Sequence, residues 1–248
     1  MDFKTENNIV VLPKTDSTNN YANRQLLESE VGEGTVFLAY CQENGRGQIN
    51  NRWESEAGKN LTFSLVLKPD FLEITDQFMI SKVVALGIHA GLKGYAGHLK
   101  IKWPNDIYAD DRKLGGILIE NSIMSGRITN SVVGIGLNIN QEKFVSDAPN
   151  PISLKQLTGK DYDLMPLLNQ LTENIFSFYG LLKNGNFGVI NQLFEEKMYR
   201  FGEKYRYKCD GAEFTGTITG VNEIGQLLIT DEHGNKRQFH FKEVEFII

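Results

Sequence analysis

An arginine stands between two glycines in the segment Asn44-Gly45-Arg46-Gly47-Gln48, directly after an apolar stretch that ends near Gln42. Glycine lets a backbone approach a ligand closely, and a guanidinium group is suited to binding carboxylate or phosphate. A surface turn with a solvated arginine has the same pattern, because short glycine motifs recur by chance. Taken alone, the segment leaves a binding loop and an ordinary turn equally open.

A second cluster of charged residues surrounds the segment "KWPND". Lys102 precedes a turn at Asn105-Asp106, and Arg112 and Lys113 follow that turn, so cations surround one carboxylate. Such a cluster can bind an anionic ligand. A charged β-hairpin without any ligand is the common alternative.

Glycines also interrupt two apolar segments. Gly115-Gly116 opens "GGILIE", and "GIGLNIN" contains two glycines before Asn138 and Asn140. Glycine weakens a strand unless something packs against its backbone. Loops at strand ends often carry binding groups, so the joint presence of these clusters favours a ligand site.

The elements that position these clusters follow from periodicity and turn signals. We expect a short strand, then a helix capped by Ser17 or Thr18, then two strands on either side of the glycine–arginine loop. The other predicted elements are a helix at 79–95, a hairpin with arms Leu99–Trp103 and Gly115–Glu120, a strand at 131–140, and helices at Met165–Leu182 and Phe187–Met198.

The composition changes near Tyr205, after which short β segments alternate with turn signals such as Asp210-Gly211. This tail is too short for a sandwich and suits a small barrel. In the body of the chain, strands and helices do not alternate regularly. We therefore predict an α+β fold, with a sheet and flanking helices in residues 1–198 and a barrel in residues 199–248.

Composition argues against several classes of protein. The net charge of −5 over 248 residues argues against a broad nucleic-acid surface, although a nucleotide site needs only local cations. No apolar run is long enough to span a bilayer, and the N-terminus has no signal-peptide pattern. Cys41 and Cys209 lie far apart in sequence, so we expect no disulfide framework and a cytoplasmic location. Zinc-type spacing is absent around the histidines, which are His89, His98, His233 and His240.

In order and spacing, the motifs resemble those of the biotin–protein ligases, also called biotin–[acetyl-CoA-carboxylase] ligases or holocarboxylase synthetases. The matching segments are "TDSTN", "GRG", a tryptophan shortly after it, "GKNLTFS", "KWPND", "KLGGILIE" and "GIGLNIN". The likeness covers about Thr15 to Asn140 in motif detail and the remaining chain in arrangement only. It implies a fold related to class II aminoacyl-tRNA synthetases, followed by an SH3-like barrel.

The resemblance also implies a two-step reaction. Biotin and ATP first form biotinyl-5′-AMP and pyrophosphate, with Mg²⁺ bridging the phosphates. The biotinyl group then passes to a lysine on the biotin carboxyl carrier domain of acetyl-CoA carboxylase or a related carboxylase. The sequence leaves the Mg²⁺ ligands unknown, and it leaves open whether the protein is a monomer or a homodimer.

By the family pattern, one set of residues would bind biotin, whose ureido ring has donors and an acceptor that must be matched once water is excluded. This set is Ser17, Thr18, Asn19, Gln42, Gly45, Arg46, Gly47, Gln48, Lys113, Gly115 and Gly116. A second set would contact ATP and the adenylate, and it consists of Arg46, Gln48, Arg52, Trp53, Lys102, Asn105 and Asn138.

The same pattern implies four catalytic residues. Arg46, Lys113 and Lys102 would hold the biotin carboxylate against the α-phosphate, two negative groups that repel each other without cations. Asp106 would orient or deprotonate the incoming lysine. The loop around Arg46 would act as a mobile lid that excludes water from the adenylate.

One loop departs from the family pattern. The commoner sequence is Gly-Arg-Gly-Arg, a variable residue, Gly, then Arg or Asn, whereas this chain continues with Gln48, Ile49, Asn50 and Asn51. Because neutral Gln48 replaces an arginine, we expect biotin binding to survive and biotinyl-AMP to be released more readily. Equal release rates for the native protein and Gln48→Arg would contradict this expectation.

Some members of the family carry an N-terminal helix-turn-helix and repress transcription. About a dozen residues precede "KTDSTN" here, too few for three helices. We therefore expect no DNA binding.

Three other functions are open. A lipoate- or octanoate-type protein ligase shares the fold and a catalytic lysine, but a lipoyl ring has no ureido group for "STN" and Gln42 to satisfy. A catalytically silent module that only holds biotin or a carrier domain would not need Lys113, Lys102 and Asp106. The third alternative is a structural protein with coincidental glycines.

Overall fold

The computed structural model describes residues 8–48, 51–145 and 150–248. The strands of its larger sheet are β1 Ile9–Leu12, β2 Val36–Ala39, β3 Leu61–Leu67, β4 Leu99–Lys102, β5 Asp106–Ala109, β6 Arg112–Met124 and β7 Arg127–Leu137. They are ordered β1-β2-β3-β7-β6-β5-β4. β1 runs parallel to β2, and every other neighbouring pair in this order is antiparallel, so the sheet is mixed.

Helices cover both faces of this sheet. They are α1 Thr18–Glu28, α2 Phe78–Leu92, α3 Leu154–Thr158, α4 Leu164–Lys183 and α5 Phe187–Lys197. On one face, α2 packs between the sheet and α4, and most of its residues are buried. On the other face, α1 packs against β2, β3 and β7, so alternate residues such as Phe37 and Val66 join a second, smaller core. This placement of α1 fixes Thr18 and Asn19, with the preceding Ser17, on one face of the sheet.

The smaller sheet lies at the C-terminus and consists of β8 Lys204–Cys209, β9 Ala212–Val221, β10 Leu227–Asp231, β11 Lys236–Phe239 and β12 Glu245–Phe246. These strands pair antiparallel in the order β11-β10-β9-β8-β12. The arrangement is that of an SH3-like domain, and the predicted α+β class is confirmed. The predicted division between residues 198 and 199 stays a prediction.

The barrel contacts the larger sheet beside the "KWPND" turn. Trp103 Nε1 donates a hydrogen bond to the carbonyl of Gly225 at 2.9 Å, and Tyr199 N donates to the carbonyl of Ile101 at 2.9 Å. Trp103 also packs edge-on against Phe241. Contacts with the C-terminal part of the chain therefore hold the end of β4 and the turn that follows it in place.

One predicted pairing is wrong. The arms Leu99–Trp103 and Gly115–Glu120 do not pair with each other, because β5 lies between them and pairs with β4 on one side and β6 on the other. β5 is only four residues long, and its first residue, Asp106, belongs to a turn signal. Its apolar segment is therefore too short to predict a separate strand. Asp110, with φ of 51°, makes the second turn that separates β5 from β6.

The helix predictions differ in outcome. Those at Met165–Leu182 and Phe187–Met198 are confirmed as α4 and α5. Ser17 is the N-cap residue of α1, although its side chain makes no capping hydrogen bond. The five-residue helix α3, which follows a capping box at Ser153, was not predicted. Of the helices in the described part of the chain, none combines the length and the apolarity that crossing a bilayer requires.

Candidate active site

A cavity of about 970 Å³ lies between the larger sheet, the loop after Gln42, the "KWPND" turn and the barrel. It brings together most of the predicted site residues. Those that line it are Ser17, Thr18, Asn19, Gln42, Arg46, Gly47, Gln48, Arg52, Trp53, Lys102, Asn105, Asp106, Lys113, Gly116 and Asn138. Gly45 and Gly115 do not line it. A Cβ on Gly45 would lie 2.3 Å from the carbonyl oxygen of Trp53, and one on Gly115 would lie 2.3 Å from Leu137 Cδ2.

The floor of the cavity explains the alternating glycines of β7. Gly134 and Gly136 lie on the same face of the strand, because side-chain positions alternate along it. A Cβ on Gly134 would lie 2.3 Å from Asn19 Oδ1, and one on Gly136 would lie 2.3 Å from Trp53 Cε2. The glycines therefore make room for one amide and one indole that rest directly on the backbone of the sheet.

One end of the cavity is a buried polar network around α1. Ser64 Oγ lies 2.7 Å from Thr18 Oγ1 and 2.6 Å from Asn19 Oδ1. Gln42 Oε1 accepts hydrogen bonds from the Thr18 backbone N–H at 2.9 Å and from its hydroxyl at 3.3 Å. Because these contacts fix each group in place, the end of the cavity offers a set of polar atoms that is already oriented.

Cations gather in another part of the cavity wall. Asp106 begins β5 and Lys113 lies near the start of β6, and the pairing of these strands brings Lys113 Nζ to 2.7 Å from Asp106 Oδ1. Lys102 Nζ lies 4.5 Å from the ring centroid of Phe246 in the barrel. Burial lowers the pKa of Lys102, and the nearby Asp106 carboxylate partly offsets that effect. The wall thus holds two ammonium groups and one carboxylate with limited access to water.

Arg46 lies at the rim. Its Nη1 donates to Asn20 Oδ1 at 2.7 Å, its Nη2 donates to Glu120 Oε1 at 2.8 Å, and its side chain is 43% exposed. The loop that carries it folds back on itself, because Arg46 and Arg52 form an antiparallel bridge and Trp53 N donates to the carbonyl of Gly45. Ile49 and Asn50 lie outside the described residues.

Three asparagines bind backbone groups. Asn105 Nδ2 donates to the carbonyl of Ile117 at 2.6 Å, and Asn138 Nδ2 donates to the carbonyl of Ile152 at 3.2 Å. Asn140 pairs in both directions with the backbone of Tyr162 and does not line the cavity. These amides brace the cavity wall, and the nucleotide contacts predicted for Asn105 and Asn138 stay predictions.

Several lining residues were missed from the sequence. The barrel contributes Phe241, Lys242, Val244, Glu245 and Phe246. No motif marks them, because they reach the cavity only through the docking of the barrel. Glu120, whose carboxylate binds Arg46, stands at the end of the quoted "KLGGILIE" motif but was given no role.

Carboxylates in the cavity wall are candidate ligands for the predicted Mg²⁺. Asp106 and Glu245 both line it, and Mg²⁺ is commonly held by one or two carboxylates together with substrate phosphates. Among the residues described, three or more His, Cys, Asp or Glu side chains do not come together as a metal site. The predicted Mg²⁺ stays a prediction.

Residues 11–138 match the family model described as "Biotin/lipoate A/B protein ligase family". This chain belongs to that family. Together with this match, the curated relatives and the solved structure described next confirm the predicted resemblance to biotin–protein ligases.

Among curated proteins, the chain is 30% identical to the bifunctional ligase/repressor BirA of Bacillus spizizenii over 86% of its own length, and it spans only 66% of that relative. It is 29% identical to the biotin–[acetyl-CoA-carboxylase] ligase of Paracoccus denitrificans, covering 91% of this chain and 95% of the relative. Among solved structures, the biotin protein ligase from Aquifex aeolicus in complex with biotin and ATP superposes with a TM-score of 0.79 at 28% identity, covering 96% of this chain and 98% of that one.

Proposed function

We propose that the protein is an ATP-dependent biotin–protein ligase that forms biotinyl-5′-AMP and then biotinylates a carrier lysine. The observation that carries this proposal is that one cavity is lined both by the polar network around Thr18 and Asn19 and by the wall with Lys102, Asp106 and Lys113. Biotin has a polar ureido ring at one end and a carboxylate at the other. Its two ends therefore require the two kinds of surface that this cavity combines.

In the polar network, Gln42 and Asn19 each have a hydrogen-bonding group that can bind the ureido ring. Gln42 Oε1 is occupied by Thr18, so its Nε2 group is the part that can donate to a ureido carbonyl. Asn19 Oδ1 is an acceptor that can receive a ureido N–H. Unmatched polar groups of a buried ring cost binding energy, so these orientations favour a ring with both donors and an acceptor.

In the first step, a carboxylate oxygen of biotin attacks the α-phosphorus of ATP. The new bond joins that oxygen to phosphorus, and the bond from the α-phosphorus to the bridging oxygen breaks, so that pyrophosphate leaves with the electron pair. Lys113, Lys102 and Arg46 would offset the charge on the phosphoryl oxygens and hold the reacting groups in line. Mg²⁺, when bound, enters with the ATP phosphates and neutralises part of their charge.

In the second step, the ε-amine of an acceptor lysine attacks the acyl carbon of the adenylate. The bond from that carbon to the phosphate oxygen breaks, AMP leaves, and an amide remains. The amine must lose a proton to become a nucleophile, and Asp106 is the carboxylate in the cavity wall that is placed beside the cations. The acceptor would be the carrier domain of acetyl-CoA carboxylase or a related carboxylase.

The loop from Gln42 to Trp53 would serve as the lid. Trp53 rests on Gly136 and its indole centroid lies 6.0 Å from Lys113 Nζ, so the loop already reaches the cations. A lid that covers the adenylate protects its anhydride from water. A cytoplasmic location is part of the proposal, and the two free cysteines, Cys41 and Cys209, are consistent with it.

The test uses purified protein, ATP, Mg²⁺ and labelled biotin, with and without a biotin carboxyl carrier domain. We expect ATP-dependent label on the acceptor, and none when its target lysine is replaced by arginine. Binding of biotin without any ATP-dependent labelling would instead support a silent binding module.

Because the family also contains lipoate ligases, substrate class needs its own test. In an ATP–pyrophosphate exchange assay, we expect biotin to support exchange and lipoate neither to support it nor to compete at equal concentration. The opposite preference would assign the protein to the lipoate branch.

A further inference from the structure

Glu120 is surrounded by hydrogen-bond donors. Its Oε2 accepts from Asn19 Nδ2 at 2.8 Å, from Asn23 Nδ2 at 3.3 Å and from Arg46 Nη1 at 3.4 Å, while its Oε1 accepts from Arg46 Nη2 at 2.8 Å. A carboxylate carries two acceptor oxygens and no donor. It is therefore the side-chain group that can satisfy all of these donors at once.

Glu120 lies outside the cavity but contacts residues that line it. It lies on β6, where it pairs with Val132 of β7, and its side chain is 28% exposed. It does not line the cavity, whereas Asn19 and Arg46 do. Any influence of Glu120 on bound molecules must therefore pass through these two residues.

Glu120 fixes the orientation of the Asn19 side-chain amide. Asn19 Nδ2 donates to Glu120 Oε2 at 2.8 Å and to the carbonyl of Leu118 at 3.2 Å, so both of its hydrogens are used. Oδ1 lies above Gly134 and accepts a hydrogen bond from Ser64 Oγ at 2.6 Å, so its second lone pair is what remains for the cavity. Glu120 thus presents Asn19 to the cavity as an acceptor and prevents it from offering a donor.

Glu120 also fixes the position of the Arg46 guanidinium group. Two hydrogen bonds to Glu120 and one to Asn20 use three of the five N–H groups of the guanidinium. Among the described residues the other two N–H groups have no acceptor, and Arg46 lines the cavity, where an anion would supply one. Arg46 belongs to a loop, so without a fixed partner its long side chain would lose more conformational freedom when a ligand binds.

We propose that Glu120 is a positioning residue that sets both ends of biotin recognition: it turns Asn19 into an acceptor for a ureido N–H and holds Arg46 over the carboxylate and adenylate. This role rests on the proposed biotin ligase activity and deepens it, because it explains how one carboxylate couples selection of the ring to retention of the activated product.

The test compares the native protein with Glu120→Gln, in which an NH₂ group replaces one acceptor and faces the surrounding donors. We expect the KM for biotin and the dissociation rate of biotinyl-AMP each to rise about fivefold, the size expected for losing a charge-assisted hydrogen bond at a partly exposed site. The KM for ATP should rise by a smaller factor than the KM for biotin, because Lys102 and Lys113 remain to bind the phosphates. Glu213→Gln is the matched control, since it breaks an exposed carboxylate pair with Arg206 (2.7 Å) in the barrel.

A double-mutant cycle separates the two effects. In an Arg46→Ala background, Glu120→Gln should still raise the KM for biotin but should not accelerate adenylate release further. If Glu120→Gln does not fold, Glu120→Asp serves the same purpose, because its shorter side chain keeps the charge but withdraws from Arg46.

The outcomes distinguish this inference from the proposed function. A native protein that makes no biotinyl-AMP would overturn both. A native protein that makes it, with Glu120 variants that match it in biotin KM and adenylate release, would overturn the role of Glu120 alone. A uniform fall in all rates together with a lower unfolding temperature would also overturn it, because that pattern indicates a purely structural residue.

Discussion

Lys113 Nζ lies 2.7 Å from Asp106 Oδ1, and both side chains are partly buried in the wall of the same cavity. The contact joins residues on neighbouring strands across a register shift between Ile107 and Tyr108. In a partly buried position, salt screens the attraction between the two charges less than it does at the surface. The contact holds the Lys113 side chain in a fixed position in the cavity wall.

The first prediction concerns the charge of Lys113. Lys113→Gln should lower kcat/KM for biotin-dependent ATP–pyrophosphate exchange by about 100-fold or more, as for other groups that stabilise transition-state charge. Lys100→Gln is the control, because Lys100 is exposed on β4 and does not line the cavity. A Lys113→Gln enzyme with native exchange would show that this cation is not part of the chemistry.

The second prediction concerns Asp106. Asp106→Asn keeps the size of the side chain but removes the carboxylate that would orient or deprotonate the acceptor lysine. In single-turnover reactions that start from preformed biotinyl-AMP, transfer to the carrier domain should fall about 100-fold, a typical contribution of general base catalysis. Native transfer rates for Asp106→Asn would contradict the assigned role.

The agreement between sequence and structure is best at strand ends. Ser17, Gln42, Asp106 and Asn138 lie as far as 121 residues apart in the chain, yet all line one cavity. Their motifs could be predicted as one site because each follows or begins a recognisable strand, and loops at one edge of a sheet converge. The alternating glycines of β7 gave a second signal, and its cause is the close approach of Asn19 and Trp53.

A pH dependence follows from Lys102. Because burial lowers its pKa, Lys102 loses its proton at a lower pH than an ordinary lysine does. The value of kcat/KM for ATP, which reports groups of the free enzyme, should therefore be constant near neutral pH and fall as the pH rises through that lowered pKa.

Substitution by arginine tests the origin of this fall. In Lys102→Arg the guanidinium stays charged throughout, so whatever activity remains should decline only at higher pH. Lys100→Arg should leave the profile of the native enzyme unchanged. Superimposable alkaline limbs for the native protein and Lys102→Arg would exclude Lys102 as the titrating group.

The fourth prediction concerns the cavity floor. In Gly134→Ala the new Cβ would lie 2.3 Å from Asn19 Oδ1, so Asn19 must move. Overpacking of this kind costs about 1–3 kcal/mol of folding stability. Because Asn19 would leave its place in the polar network, we expect the Kd for biotin to rise about tenfold, which is about 1.4 kcal/mol of binding free energy. Isothermal titration measures it, with Gly188→Ala in α5 as the control, because no heavy atom lies within 4 Å of its added Cβ.

What the sequence could not predict depends on tertiary contacts. The barrel residues Phe241 and Phe246 reach the cavity only because the turn at Gly225 docks on Trp103. Glu120 looked like the polar end of an apolar strand, and its role follows from donors that lie on α1 and on the loop. Such convergence leaves no local pattern in the chain.

The central claim is that Lys113 and Arg46 hold the biotin carboxylate against the α-phosphorus of ATP. Its most direct test is a crystal structure of the protein with biotin and a non-hydrolysable ATP analogue. We predict that Lys113 Nζ and the Arg46 guanidinium lie within about 3.5 Å of carboxylate or α-phosphate oxygens. Both side chains directed into bulk solvent, away from the bound molecules, would contradict it.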